Sequence, residues 1–360
     1  MRPLLLVCGT RPEAVKLAPV ARALSARGLP WRLLAAGQHG ALLDRALTSM
    51  GLRPHRRLRL MSSGQTPSRV ASEGVRRIGA VIAAERPPLV VVQGDTTTAA
   101  AAAWAACYAK VPLAHVEAGL RTGDLLDPHP EEVNRLVIDR LASLHLAPTE
   151  EGARNLSREG IAGAVVTGNT AVDAARWAAG RAAAARLAAP TVLLTLHRRE
   201  ILGLPLTALL RAVSRALTSA PGTRAVLPVH PNPAVRAAVR AAERLPGIDV
   251  RAPLDYLPCI ALLRACLFVV TDSGSLQEEA SALGKAVVVA REKTERPELL
   301  KAGGALLGGR SPAPLEAAVR RLLGDATLRR RLERAPCPFG DGRAGERCAA
   351  AIARFLRGRN

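Results

Sequence analysis

Two short runs in this chain of 360 residues hold side chains suited to moving protons. His115-Val116-Glu117-Ala118-Gly119-Leu120-Arg121-Thr122-Gly123-Asp124 follows an apolar run that starts at Pro112 and ends abruptly in Glu117. Pro128-His129-Pro130-Glu131-Glu132 then opens a helical pattern with two acids in its first turn. A strand ending in acid, a helix beginning in acid and a long polar loop between them read as the rim of an active site, because long ordered loops at strand ends usually carry function. A third acid, Asp95, follows the apolar strand Pro88–Val92 in Gln93-Gly94-Asp95-Thr96-Thr97-Thr98. Taken alone, Asp95 suits catalysis and capping of the following helix, Ala99–Tyr108, equally well. With Glu117 and Glu131 on the same rim, acid/base chemistry is favoured.

Other runs suit an anionic ligand. Gly9-Thr10-Arg11-Pro12-Glu13 joins the strand Leu4–Cys8 to a helix, with Thr10 and Glu13 spaced as a capping box and Pro12 in the first turn. A helix N-terminus carries free N–H groups and partial positive charge, to which Arg11 and Lys16 add full charges. Leu196-His197-Arg198-Arg199-Glu200 stands beyond another strand end, where arginine forks suit phosphate and histidine supplies a proton near neutral pH. Asp272-Ser273-Gly274-Ser275 opens a further helix, with Ser275 and Glu278 spaced as a capping box and Glu279 one turn in, where a carboxylate can take both ribose hydroxyls. Thr294-Glu295-Arg296-Pro297-Glu298 brings one more arginine to a strand end.

The elements that must position these residues alternate regularly. Strands are expected at Leu4–Cys8, Trp31–Ala36, Pro88–Val92, Pro112–Val116 and Ala164–Thr170, with helices between them, including a long one from Pro67 to Ala84. An alanine- and arginine-rich helix, Ala171–Ala188, leads to a linker at Pro190 that would serve as a hinge. The pattern resumes with strands at Thr191–Thr195, Val226–Val229, near Val250 and at Leu267–Val270, and closes with a helix from Gly345 to Leu356. Repeated strand, turn and helix units imply parallel sheets wrapped by helices, with ligands beyond the carboxyl ends of the strands. The length suits two domains of about 150–180 residues and therefore a cleft between them.

Composition excludes several function classes. No apolar run reaches the roughly 20 residues of a membrane span, and Met1-Arg2-Pro3-Leu4 leads into a strand instead of a signal peptide, so a cytoplasmic protein without a membrane partner is expected. The six cysteines form no CxxC pair and no cluster at metal spacing, so they read as reduced core residues, with no metal site. Neither GxGxxG nor GxxxxGK[ST] occurs. The net charge of +21 would suit nucleic acid, but the arginines are spread along helices without interleaved aromatics and read as solvated faces. The remaining positive field favours a small anionic substrate. The inventory of a diphosphate cradle, a ribose-seeking glutamate and three carboxylates describes a nucleotide-sugar enzyme.

The runs Gly9–Glu13, Gly94–Thr98, Glu117–Gly123, Pro130–Glu132, His197–Glu200, Asp272–Gly274 and Thr294–Glu298, taken in order, resemble the non-hydrolysing UDP-N-acetylglucosamine 2-epimerases nearly end to end. The resemblance implies an α/β fold of glycosyltransferase-B type, two doubly wound Rossmann-like domains with an interdomain cleft. Residues 1–170 would form the first domain, 171–345 the second, and 346–360 a helix returning to the first. It further implies a homodimer, a UDP-sugar substrate and no cofactor. The implied reaction interconverts UDP-GlcNAc and UDP-ManNAc through elimination of UDP to a 2-acetamidoglucal and re-addition.

At matching positions, Asp95, Glu117 and Glu131 become the acid/base set and His197 a catalytic or UDP-assisting residue. Arg11 and Lys16 hold the sugar or phosphate side, Ser273, Gly274, Glu279 and Arg296 hold UDP, and Arg198 and Ser275 are further substrate-binding candidates. Gln38, His39, Gln65 and Glu132 correspond to a second, allosteric UDP-GlcNAc site, although Gly40 and Gly64 replace its usual basic residues. His129, Leu196, Ser275 and Lys293 also depart from the family's usual residues. The rival readings are a hydrolysing epimerase releasing ManNAc and UDP, a glycosyltransferase of the same fold, and a nucleic-acid-binding protein.

Overall fold

A computed structural model describes residues 2–37, 40–60, 66–197, 204–229, 233–294 and 296–358. The chain divides into two compact units, the first comprising residues 1–174 and 339–360 and the second residues 175–338.

In the first unit, β1 (Leu4–Cys8), α1 (Arg11–Ala26), β2 (Trp31–Ala35), α2 (Gly40–Ser49), β3 (Arg56–Arg57) and α3 (Pro67–Glu85) come first. They are followed by β4 (Val90–Gln93), α4 (Thr97–Tyr108), β5 (Leu113–Val116), α5 (Glu131–Leu141), β6 (Leu144–Ala147), α6 (Glu150–Arg158), β7 (Val165–Val166) and α7 (Thr170–Ala179), whose residues from 175 onward belong to the second unit. All seven strands are parallel, in the order β3-β2-β1-β4-β5-β6-β7. The order reverses direction at β1 and β4, and that switch point is where an open parallel sheet leaves a crevice beyond its strand ends.

Continuous β-branched and leucine runs make the central strands β1 and β4 buried on both faces. Val90 and Val92 of β4 pack with Leu5 and Val7 of β1 against Ile78 and Ile82 of α3 and the alanines of α4. The alanine-rich sequence of α4 suits that place: a Cβ at Gly74 of α3 would lie 2.7 Å from the Cβ of Ala101, so only small side chains allow this approach. β6 was not anticipated, because His145 interrupts a four-residue run. Its ring nitrogen Nε2 bonds the Asp139 carbonyl oxygen at 2.7 Å, which makes a polar residue acceptable in a buried strand.

The second unit contains β8 (Thr191–Thr195), α8 (Leu204–Leu217), β9 (Arg224–Pro228), α9 (Pro233–Val239), β10 (Ile248–Arg251), α10 (Tyr256–Ala265) and β11 (Val269–Thr271). It continues through α11 (Gly274–Ala282), β12 (Val287–Val289), α12 (Pro297–Lys301), β13 (Ala305–Leu307), α13 (Pro312–Gly324) and α14 (Ala326–Glu333). Its six parallel strands run β10-β9-β8-β11-β12-β13, with the switch point between β8 and β11. Val192, Leu194, Val270 and Val288 form its core with the apolar faces of α8 and α13.

The last helix, α15 (Ala344–Arg357), packs on α1 in the first unit. A Cβ at Gly345 would stand 2.7 Å from the backbone of Pro19, so glycine is required at this crossing. Asp173 of α7 accepts bonds from the Ala344 and Gly345 N–H groups at 3.1 and 2.8 Å and so closes the helix start.

One expected element is shorter than its sequence suggested. The helix anticipated over Ala171–Ala188 ends at Ala179. Gly180 follows, the Arg181 guanidinium stacks 4.2 Å over the Trp177 ring, and the alanine/arginine stretch beyond is largely exposed. Helix propensity without an apolar face to bury does not extend a helix.

Candidate functional site

At the first unit's switch point, the turns after β1 and β4 are joined by a buried acid. Glu13 Oε2 accepts from the Gly9 N–H at 3.0 Å and the Thr10 hydroxyl at 2.7 Å, while Oε1 accepts from the Thr96 hydroxyl at 2.7 Å. Burial pushes the Glu13 carboxyl up, against the opposing pull of those hydrogen bonds. The turns lie so close that a Cβ on Gly9 would meet Thr98 Oγ1 at 2.5 Å. Of the capping box expected at Thr10 and Glu13, only the glutamate's half forms, since Thr10 makes no side-chain cap.

Thr96, not Asp95, caps α4, accepting from the Ala99 N–H at 3.1 Å. The Asp95 carboxylate is therefore available for other contacts. Its Oδ2 meets Arg135 at 2.5 Å, and its backbone oxygen accepts from the Asn134 side chain at 2.9 Å. Both partners stand on the first turns of α5, whose first residue is Glu131.

Glu117 follows β5 directly with φ of 73°, a left-handed conformation that costs a non-glycine residue about 1–3 kcal/mol and tends to persist where function holds it. Its Oε2 receives Lys16 Nζ at 2.5 Å and Asn169 Nδ2 at 3.2 Å, and all three side chains are buried. Lys16 and Glu117 are 101 positions apart, and the sheet order makes them neighbours.

A second layer of ions holds the loop after Glu117. Asp139 of α5 meets His115 Nδ1 at 2.6 Å, the Gly119 N–H at 3.2 Å and Arg121 at 2.8 Å. Arg121 in turn makes a two-pronged contact with Glu159, at 2.6 and 2.8 Å. Burial alone would push the Asp139 carboxyl up, but His115 and Arg121 outweigh it and hold the group below the usual carboxylate range. The other ring nitrogen of His115 bonds the Gly94 carbonyl at 2.8 Å, next to Asp95. Glu132, also buried, accepts from the Thr122 and Gly123 N–H groups at 3.0 and 3.1 Å and pairs with Arg135 at 3.0 Å.

In the second unit, the buried Asp272 directly follows β11, accepts from the His197 N–H at 2.7 Å through Oδ2 and has Oδ1 3.2 Å from the His197 ring Nδ1. The histidine beyond β8 is thus oriented from the neighbouring strand across the switch point. Ser273 caps α11 by accepting from the Leu276 N–H, which corrects the expected box at Ser275 and Glu278. Ser275 lies one residue inside the helix, and Glu278 instead pairs with Arg296 at 2.7 Å. A Cβ on Gly274 would lie 3.2 Å from the Arg296 guanidinium carbon, so glycine lets a cation lie over the helix's first N–H groups. Glu279 is on the same helix and largely buried. One helix N-terminus and one arginine therefore converge on a place suited to an anion.

The structure brings Lys16 to Glu117 directly, sets Asp95 against the start of α5 where Glu131 stands, and leaves Arg11 exposed at the start of α1. It groups Ser273, Gly274, Ser275, Glu279 and Arg296 around α11, with His197 tied to the adjacent Asp272. Arg198, Gln38, His39 and Gln65 lie outside the described residues. Residues that sequence reasoning left without a role are His115, Arg135, Asp139, Asn169 and Asp272, and Glu13 was given only a capping role. Glu13, His115 and Asp272 did stand inside the quoted runs, and Arg135 follows Glu131 at helical spacing. No sequence signal pointed to Asp139, and Asn169 was read only as the end of a strand, which in the structure stops at Val166. Among the described residues, no cluster of histidine, cysteine, aspartate or glutamate is arranged to hold a metal ion, and no helix is long and apolar enough to cross a membrane.

Comparison with known proteins bears on this arrangement. The family model described as UDP-N-acetylglucosamine 2-epimerase matches residues 22–353. A probable UDP-N-acetylglucosamine 2-epimerase from Ralstonia solanacearum is 40% identical over 374 residues, covering 99% of this chain and all of the relative. The crystal structure of a putative UDP-N-acetylglucosamine 2-epimerase from Listeria monocytogenes superposes with a TM-score of 0.93 at 37% identity, covering 99% of this chain and 97% of that one. The Neisseria meningitidis UDP-GlcNAc 2-epimerase, solved bound to UDP-GlcNAc, gives 0.92 at 30% identity, covering 99% of this chain and all of the other.

Proposed function

This chain belongs to the UDP-N-acetylglucosamine 2-epimerase family, and from that membership we propose that it interconverts UDP-GlcNAc and UDP-ManNAc without net hydrolysis. The observation that carries the reading is the placement of acids with cations beyond adjacent strand ends of the first unit, Glu117 with Lys16 and Asp95 with Arg135.

The C2 hydrogen of the sugar is weakly acidic, so its removal is coupled to departure of the nucleotide. A carboxylate takes the C2 proton, the C2–H electron pair forms the C1–C2 double bond, and the C1–O bond breaks with its pair passing to the UDP diphosphate. The product is 2-acetamidoglucal plus UDP. In the return step a diphosphate oxygen attacks C1 while a carboxylic acid delivers a proton to the other face of C2. Electrons balance, with no oxidant involved.

Asp95, Glu117 and Glu131 form the acid/base set. Lys16 and Arg11 supply positive charge on the sugar and phosphate side. The second unit supplies UDP binding: α11 and Arg296 receive the diphosphate, Glu279 takes the ribose hydroxyls, and His197, oriented by Asp272, assists the leaving group. Preorganised charge of this kind stabilises a leaving diphosphate far better than mobile water does.

A homodimer is part of the same reading. Trp104 and Tyr108 stand exposed on α4 with ring centroids 5.8 Å apart, and Val133 of α5 is exposed as well. Light scattering should then give a mass near twice 37.8 kDa.

The deciding experiment incubates UDP-GlcNAc with the protein in D₂O. Deuterium at C2 together with a UDP-ManNAc signal supports the reading. Free ManNAc as the main product indicates the hydrolysing reaction, and sugar transfer to an added acceptor without UDP-ManNAc indicates a glycosyltransferase.

A further inference from the structure

Asn169 stands immediately after the turn that follows β7, and its side chain is held from both ends. Its Oδ1 accepts from the Ala171 N–H at 2.9 Å at the start of α7, which leaves the amide Nδ2 to donate to Glu117 Oε2 at 3.2 Å. That Oδ1 contact settles the amide's orientation, because only oxygen accepts. The residue is 2% exposed.

The backbone of Asn169 is located by a distant part of the chain. Its N–H donates to the carbonyl of Phe339 at 2.7 Å, in the segment that returns to the first unit before α15. Gly168 (φ 86°) and Gly340 (φ 118°) pass each other so closely that a Cβ on Gly340 would lie 3.2 Å from the Gly168 Cα. Two glycines thus allow the returning segment to press against the turn carrying Asn169.

We propose that Asn169 is a positioning residue for Glu117, and that the returning segment Phe339–Gly340 takes part in the reaction by fixing where its amide donates. Lys16 and Asn169 approach the same oxygen of Glu117, so together they fix the rotation of a carboxylate whose own backbone is in a strained conformation. A carboxylate held at one oxygen by two donors presents its other oxygen in a defined direction, and proton transfer depends steeply on that direction. The proposal rests on Glu117 belonging to the acid/base set.

Asn169→Asp tests it. Aspartate keeps an oxygen to accept from Ala171, but places a second carboxylate oxygen against Glu117 in place of the donor. The expected result is a fall in kcat of about 10- to 100-fold, the worth of a charge-assisted hydrogen bond, with KM for UDP-GlcNAc within about 3-fold of wild type. In a Glu117→Gln background the same change should cost less than about 3-fold, because the group it acts through is gone.

Wild-type kcat in Asn169→Asp overturns the proposal, as does an equal loss in both backgrounds. Wild-type kcat in Glu117→Gln alone overturns the functional reading instead, so the two failures are distinguishable. Should Asn169→Asp not fold, Asn169→Ala removes the donor without adding charge, and the same split between kcat and KM decides.

Discussion

Arg135 and Asp95, 40 positions apart, meet at 2.5 Å, and the same guanidinium reaches Glu132 at 3.0 Å. One buried cation on α5 therefore sets both the acid beyond β4 and the glutamate that holds the Thr122–Gly123 loop. Arg135→Met should lower kcat roughly 10- to 100-fold and cost about 3–5 kcal/mol of stability, because Glu132 is left as an uncompensated buried charge. Arg135→Lys should recover only part of the loss, since a single ammonium cannot replace a planar fork. Steady-state kinetics and urea unfolding measure both effects, and a lysine variant equal to wild type would contradict the two-partner geometry.

The acid set itself gives the bluntest test. Asp95→Asn, Glu117→Gln and Glu131→Gln should each reduce turnover by about two or more orders of magnitude, the usual worth of general acid/base groups. Exchange of deuterium into C2 is the direct readout. Near-wild-type exchange in all three would remove the site from the first unit's strand ends.

Gly119 and Gly123 lie in the same loop, both at positive φ, 86° and 79°, yet only one is crowded. A Cβ at Gly119 would stand 2.2 Å from the Gly152 carbonyl oxygen, whereas nothing lies within 4 Å of one at Gly123. Gly119→Ala should cost about 2–5 kcal/mol, the left-handed penalty plus overpacking, and Gly123→Ala only about 1–2 kcal/mol. Equal losses in urea unfolding would show that the contact with α6 is not what makes glycine necessary.

Asp139 links stability to pH. Its folded-state pKa is lowered, so its contribution is present above the unfolded value, about 3.9, and is lost as pH falls through the folded value below that. Asp139→Asn should therefore cost about 3–5 kcal/mol near pH 7, and the gap to wild type should narrow as pH drops below about 4. Denaturant midpoints for both proteins from pH 7 downward measure the gap. A constant difference would mean that shape, not charge, is what Asp139 supplies.

The cysteines should separate by burial. Burial pushes the Cys266 thiol up to about 11 and Cys348 to about 12, and Cys8 well above its ordinary value, while Cys259 and Cys337 are only half-buried. Cys107, expected in the core of α4, is instead exposed. Alkylation of the native protein at pH 8, mapped by mass spectrometry, should therefore mark Cys107 first and Cys259 and Cys337 next, long before Cys8, Cys266 and Cys348, because access and thiolate form both limit the reaction. Labelling of Cys348 at the same rate would contradict the docking of α15.

Much of the molecule was legible in the residue order. Short apolar strands ended by glycine and acid, with amphipathic stretches between, determine a repeating parallel α/β chain, because burial on both faces and a period of 3.6 each leave their mark locally. The acids Asp95, Glu117 and Glu131 stood out for the same reason: polar residues at strand ends and helix starts are local signals. What the order did not contain was partnership. That Thr96 and not Asp95 caps α4, that Lys16 meets Glu117, and that Asn169, bonded to the Phe339 carbonyl, reaches the same carboxylate depend on the β1-β4-β5 order and on the chain's last segment returning to the first unit. Ion pairs across 40 to 101 positions leave no periodic trace, since they arise only when packing has removed both charges from water and brought them to within a few ångströms.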